Sequence, residues 1–298
     1  MSRLGDFARR LSRILELGER VLEELSGTPP EGRLFERHLA FRWDPSRGRG
    51  RLVAVPDPLL FDLEDLVGVG ASVDRLVANV EQFVAGHPSN HVLLHGERGT
   101  GKSSAVRGLL GRFGGEGLRL VEVHKADLMH LPRVLEALRG VPYRFVLFCD
   151  DLSFDAGEPG LRELKAALEG SVAAPPANVR LVATSNRRHL LPEFAADNRA
   201  AQLDESGELH MGEAVEEKLA LSDRFGLVLG FYGFDQRAYL AIVDRYARKA
   251  GISAPRGRLH AEALRWALRR SSRSGRTAKQ FVDDFAGREA LQLSRKPR

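Results

Sequence analysis

Cysteine is almost missing from this 298-residue chain, since Cys149 stands alone. An intrachain disulfide and a cysteine-rich zinc site are therefore excluded. Cys149 sits inside an apolar run and reads as a small core residue. No run of 18 or more apolar residues occurs, which excludes a membrane-spanning helix. Internal repeats and long low-complexity tracts are missing as well. Residues 5–25 are amphipathic and carry Asp6, Glu16, Glu19, Glu23 and Glu24. That pattern fits neither a secretory signal nor an acid-poor transit peptide, so a cytoplasmic protein is expected. Nor does one sign of charge dominate: 45 basic residues face 40 acidic ones, for a formal net charge of +5. Most of that charge reads as a mixed, solvated surface. Because arginine far outnumbers lysine, a nucleic acid or other polyanion stays open as a partner.

What is present suits one large α/β domain with a smaller satellite, at 43% hydrophobic residues. Phe7, Leu11, Ile14, Val21, Leu22 and Leu25 recur at helical spacing, and Ser26-Gly27-Thr28-Pro29-Pro30 stops the pattern. Residues 31–60 lack sustained helical periodicity and hold the basic run Arg47-Gly48-Arg49-Gly50-Arg51, closing on Pro56-Asp57-Pro58. Residues 1–60 thus read as an N-terminal helix and linker extension. Beyond them, short apolar runs at 91–95, 118–123, 145–149, 179–183 and 226–231 alternate with helical patterns at 103–113, 128–138 and 160–168. Such alternation predicts a mainly parallel sheet with helices on both faces over residues 61–231. Right-handed crossovers put the strand C-termini on one edge, where ligands bind. Residues 232–298 hold only helical patterns, at 235–249, 259–270 and 277–291, and read as a small α-helical domain.

The first apolar strand runs into Gly96-Glu97-Arg98-Gly99-Thr100-Gly101-Lys102-Ser103, and a helix follows. A triphosphate needs many donors that approach closely, and backbone N–H groups opening a helix supply them together with the positive helix end. Gly96, Gly99 and Gly101 let the backbone curl without side-chain obstruction. Lys102 would reach the β- and γ-phosphates, and the Ser103 hydroxyl would ligate Mg²⁺. Ser104 lies where the α-phosphate receives a further contact.

Phosphoryl transfer to water also needs a metal ligand and a group that positions the water. The strand Phe145-Val146-Leu147-Phe148-Cys149 ends in Asp150-Asp151, which delivers two carboxylates to the same sheet edge. Asp150 would hold Mg²⁺, directly or through water, and Asp151 would polarise the nucleophile. Asp155 and Glu158 are nearby substitutes for the second role.

With these motifs in place, further segments make the chain resemble the AAA+ ATPases. Val179-Arg180-Leu181-Val182-Ala183-Thr184-Ser185-Asn186 is similar to the strand that ends in the sensor-1 residue, which implies that Asn186 contacts the γ-phosphate and the lytic water. Leu221-Ser222-Asp223-Arg224 resembles the segment bearing the arginine finger, so that Arg224 would reach a neighbouring subunit's nucleotide. Ser274-Gly275-Arg276-Thr277 is similar to sensor 2, placing Arg276 over the phosphates from the helical lid. Asp65-Leu66-Val67-Gly68 resembles the motif that closes over adenine. Within that superfamily, residues 41–285 resemble a family of bacterial predicted ATPases of uncharacterised function. Phe148-Cys149-Asp150-Asp151-Leu152-Ser153-Phe154, residues 184–191 and residues 212–218 carry that likeness. One departure stands out: most AAA+ enzymes have Asp-Glu where this chain has Asp150-Asp151.

The resemblance implies a P-loop AAA+ core with a lid, ATP and Mg²⁺ as ligands, and slow hydrolysis that remodels or loads a macromolecular partner. A head-to-tail contact through Arg224 would build a nucleotide-dependent homo-oligomer, either a ring or an open spiral. A nucleotide-gated binding module with little turnover, or a DNA-associated helicase-loader-like ATPase, stay open beside it. A GTPase is disfavoured, since no Asn-Lys-x-Asp segment is present to read guanine. No motif for a small-molecule kinase's acceptor pocket is found. Residues 193–213 and the N-terminal amphipathic segment are candidate partner surfaces.

Overall fold

A computed structural model describes residues 32–45, 50–154, 159–169, 175–186, 202–203, 209–210 and 224–294. The N-terminal amphipathic segment, Asp155, Glu158, residues 187–191 and residues 212–218 lie outside the described residues.

The central sheet has seven strands: β1 (Ala40–Asp44), β2 (Arg51–Val55), β3 (Val92–Gly96), β4 (Leu118–Glu122), β5 (Arg144–Cys149), β6 (Val179–Ser185) and β9 (Leu227–Phe231). Their spatial order is β2-β1-β4-β5-β6-β3-β9. All neighbours are parallel except the β1–β2 hairpin. Two short strands, β7 (Gln202–Leu203) and β8 (Leu209–His210), pair with each other apart from this sheet.

Alternation along the strands explains why their runs are continuously apolar: both faces are buried. On β5, Phe145, Leu147 and Cys149 join one core cluster and Val146 and Phe148 the other. The first cluster is covered by α4 (Leu131–Leu138) and α5 (Pro159–Glu169). The second packs under α2 (Gly70–Val84) and α3 (Lys102–Phe113) through Val73, Leu76, Val80, Val106 and Leu109.

Residues 40–44 and 51–55, expected to be linker, are instead the first two strands, and α1 (Gly32–Arg37) packs beside them through Phe35. Phe35, Phe41 and Trp43 are buried in the first cluster, while Arg42 points outward. Charge on alternate residues is what one-sided burial of an edge hairpin requires. Gly50, at φ +77°, lies flat against the Trp43 indole, where any side chain would collide with the ring. Arg119 ties α1 to the sheet, donating from Nε to the Phe35 carbonyl at 2.6 Å.

After β9 the chain enters three helices, α6 (Gln236–Lys249), α7 (Arg256–Arg269) and α8 (Gly275–Ser294). Asp235 caps α6, its carboxylate accepting the Ala238 N–H at 2.7 Å. Tyr239, Val243, Ala263, Phe281 and Phe285 form a core of their own, against which Val67 packs from the sheet domain. The buried Asp65 carboxylate receives Arg245 Nε at 2.6 Å and Lys249 Nζ, joining α6 to the 3-10 turn Leu63–Asp65.

Candidate functional site

The C-terminal ends of β3, β5 and β6 meet at one point on the sheet edge. From β3 the chain passes into the glycine loop, where Gly96, Gly99 and Gly101 all have positive φ (133°, 77° and 103°). A side chain on Gly96 would run into the Phe231 carbonyl, and one on Gly101 would come within 2.6 Å of Leu66 Cδ2. These glycines are thus required by the loop path as well as by room for a ligand. Thr100 closes the curl from inside, its hydroxyl donating to the Glu97 carbonyl at 2.8 Å. Glu97 and Arg98 are exposed, and Ser104 lies half-buried in the first turn of α3.

Lys102 opens α3 and folds back over the loop. Its Nζ donates to the Gly96 and Glu97 carbonyls, each at 2.7 Å, and to Asn186 Oδ1 at 3.2 Å. All three acceptors are neutral, so the ammonium charge sits unneutralised by direct contact at the loop's mouth. Burial lowers the Lys102 pKa; Asp151 and Asp150 act against that shift, and Arg98 and Arg276 add to it.

Asp150 and Asp151 arrive from β5 beside them. The Ser103 hydroxyl donates to Asp150 Oδ1 at 2.7 Å, and the Thr184 hydroxyl donates to the same oxygen at 2.5 Å. Asp151 adopts a left-handed backbone, φ +53°, and its N–H donates to Thr184 Oγ1 at 2.8 Å. Its carboxylate accepts from Asn186 Nδ2. Asn186 therefore bridges Lys102 and Asp151. Cys149 stays out of this chemistry: buried, its thiol is pushed up to about 12, chiefly by desolvation.

A serine hydroxyl and a carboxylate 2.7 Å apart at a helix start are hard oxygen donors of the kind Mg²⁺ takes. The donor set fits that ion, and the loop's curl with its lysine fits a polyphosphate.

Of the remaining expected residues, Val67, Gly68 and Arg276 stand where the lid meets the sheet domain, and Arg224 does not. Ser274 caps α8, accepting the Thr277 N–H at 3.1 Å, and the Gly275 N–H donates to the Gly99 carbonyl at 2.9 Å. Arg276 is exposed in the first turn of α8; a Cβ on Gly99 would lie 3.4 Å from Arg276 Cβ. Val67 and Gly68 stand at the seam with the lid, where a Cβ on Gly68 would meet the Phe234 ring at 3.0 Å. Arg224 lies elsewhere. It precedes β9, whose first residue pairs with the start of β3, so it belongs to the opposite sheet edge. Thr184 is the member that sequence reasoning missed. Its signal was a hydroxyl two residues before Asn186 on a strand adjacent to β5.

A family profile described as "Protein of unknown function (DUF815)" matches residues 36–289. No curated protein matches the sequence. Among solved structures, the chain is similar to the Holliday junction branch migration motor RuvB of Thermotoga maritima. The TM-score is 0.52 at 18% identity, with 80% of this chain and 67% of that one covered. A point variant of the same protein gives a TM-score of 0.53 at 17% identity and the same coverage. That likeness is one of fold, the AAA+ P-loop arrangement of parallel sheet and helical lid. The matched residues run from α1 into α8 and so take in the glycine loop, both aspartates and Arg276 alike; the chain belongs to the DUF815 family.

Proposed function

We propose that this protein binds Mg-ATP and hydrolyses it slowly, and that nucleotide state, felt by the lid, remodels or loads a macromolecular partner. The supporting observation is the pair of linked contacts Ser103–Asp150 and Lys102–Asn186–Asp151 at the strand C-termini. The loop N–H groups and Lys102 bind the phosphates, with Lys102 exchanging neutral carbonyl partners for charged oxygens. When bound, Mg²⁺ neutralises phosphate charge; Ser103 and Asp150 would hold it. Asp151 accepts the proton of the attacking water, and Asn186 orients that carboxylate and the water. Val67 and Gly68 close over the adenine, and Arg276 approaches the phosphates from the lid. Asp151 is one methylene shorter than glutamate, so its carboxylate stands back from the nucleophile and turnover is slow.

Equilibrium binding and steady-state hydrolysis test this together. Lys102→Ala is expected to abolish ATP binding, and Asp151→Asn to retain binding while turnover falls at least about tenfold, as loss of a general base does. An unchanged rate in Asp151→Asn would remove Asp151 from the mechanism. For the partner, Asp151→Asn loaded with ATP serves as a trap in affinity capture with mass spectrometry. The same list from Lys102→Ala would refute nucleotide-coupled engagement.

A DNA-associated form of this activity has one specific observation in its favour. Arg265, Arg269, Arg270 and Arg273 follow closely in sequence from late α7 toward α8 without a carboxylate partner among the described residues, whereas Arg245, Arg256, Arg258 and Arg288 are all paired. Binding to single- or double-stranded DNA that weakens steeply with salt would support it, and no binding at low salt would retire it.

A further inference from the structure

Glu97 is a carboxylate in a loop otherwise built to receive anions, so its place there calls for another reason. Its side chain turns to the lid hinge: Oε1 accepts the Gly233 N–H at 3.2 Å, between β9 and α6. Gly233 leaves just enough room for it, because a Cβ there would press on both carboxylate oxygens. The Glu97 N–H also donates to the Phe231 carbonyl at 3.1 Å, and its own carbonyl takes Lys102 Nζ. One residue thus touches β9, the hinge and the phosphate-binding lysine. At the other end of the lid, the Gly275 N–H holds the Gly99 carbonyl at 2.9 Å, and Ser274 Oγ lies 2.8 Å from where a Gly99 Cβ would stand. The loop between Gly96 and Gly99 is therefore held by the lid's entry and by its last helix at once.

We propose that Glu97 is a positioning residue that couples the phosphate loop to the lid, holding the Gly233 hinge so that α8 and Arg276 stay against Gly99. Where it concerns turnover, this rests on the ATPase activity proposed above. A ligand that re-curls the loop shifts the Glu97 backbone and so the hinge contact. Loop shape reaches the lid through the chain itself, in addition to Arg276.

A double-mutant cycle tests it, using the full chain with Glu97→Ala, Gly233→Ala, both together, and Glu97→Gln. Gly233 is not in the left-handed region, so alanine there displaces the carboxylate without straining the backbone. Without nucleotide, Glu97→Ala is expected to speed amide exchange at residues 233–236 and at Gly275 about fivefold, a modest factor set by one exposed hydrogen bond. With ATP, kcat should fall by a similar factor while KM stays within about twofold. Glu97→Gln, whose amide oxygen can still accept the Gly233 N–H, should restore both. The double variant should be no worse than either single one, since they remove the same contact. Additive effects, a glutamine variant as impaired as alanine, or exchange unchanged at Gly233 and Gly275 would each overturn the proposal. If the parent protein turns over no ATP at all, the hydrolysis proposal fails alone, and the exchange cycle still decides the coupling.

Discussion

Thr184→Val removes a hydroxyl and keeps the shape, which makes it the sharpest probe of how the two aspartates are held. Thr184 is 1% exposed and satisfies both neighbours, donating to Asp150 Oδ1 and accepting the Asp151 N–H. A hydrogen bond to a charged group contributes about 1.5–3 kcal/mol, and an orphaned N–H costs about 1–3. Asp150 is half-buried and Asp151 exposed, so the lower ends apply and the sum is about 2.5 kcal/mol. At roughly 2–4 °C per kcal/mol for a domain of this size, the melting midpoint should drop by about 5–10 °C. Thr184→Ser keeps the hydroxyl and loses a methyl, for about 1 kcal/mol. Scanning calorimetry without nucleotide reads both variants, and ATP turnover should fall in the valine variant far more than in the serine one. A valine variant that melts within about 1 °C of the parent and hydrolyses ATP at the parent rate would refute the role given to Thr184.

Three other outcomes follow from particular contacts. His91 Nδ1 accepts the Leu181 N–H at 2.9 Å, and burial, with Arg180 adding to it, lowers its pKa from 6.5 to about 4. Below pH 6.5 the unfolded chain takes a proton that the folded one refuses, so stability held above 6.5 is lost down to about 4. By pH 5 the loss is about 2 kcal/mol, and His91→Asn should flatten the pH dependence of melting between 7 and 5. Asp65→Asn should loosen α6 from the sheet domain, seen as faster amide exchange over residues 236–249, with the difference shrinking at high salt. Five residues of β9 separate Arg224 from the loop edge, about 16 Å at 3.3 Å per residue, so Arg224 cannot serve its own chain's site. Under the shared-site arrangement that the AAA+ resemblance implies, mixing Arg224→Ala with Lys102→Ala should recover activity that neither has alone, and a strictly monomeric protein with full activity would exclude it.

Much of this was legible in the sequence because buried parallel strands leave unbroken apolar runs. Those of β3, β5 and β6 each end in the residue that matters, at Gly96, Asp150 and Asn186. The β1–β2 hairpin was not legible, because its inward residues Phe41, Trp43 and Leu52 alternate with Arg42 and Arg51 beside a basic glycine run that reads as linker. Thr184 was hidden for a different reason: threonine near a strand end is an ordinary β-former. Only the alignment of β6 against β5, a non-local fact, puts its hydroxyl between two aspartates. Glu97 falls inside the glycine run of the sequence, but its bond to Gly233, 136 residues away, leaves no local trace.

The substitution of Asp for Glu after Asp150 and the backbone at that position are two sides of one fact. Asp151 sits at φ +53°, where residues other than glycine, asparagine and aspartate pay about 1–2 kcal/mol. There its short side chain reaches Asn186 Nδ2 while its N–H is fixed by Thr184. Lengthening the side chain would not simply advance the carboxylate toward the water. Asp151→Glu would strain the left-handed backbone, and an extra methylene would carry the carboxylate past Asn186, releasing the bridge to Lys102. The expected result is a rate no more than about twofold above the parent, because orientation lost offsets reach gained. Melting should fall by a few degrees, the strain of about 1 kcal/mol at roughly 2–4 °C each. A variant at least ten times faster than the parent, with its melting unchanged, would show that reach alone limits the chemistry and that the left-handed turn at Asp151 plays no part in it.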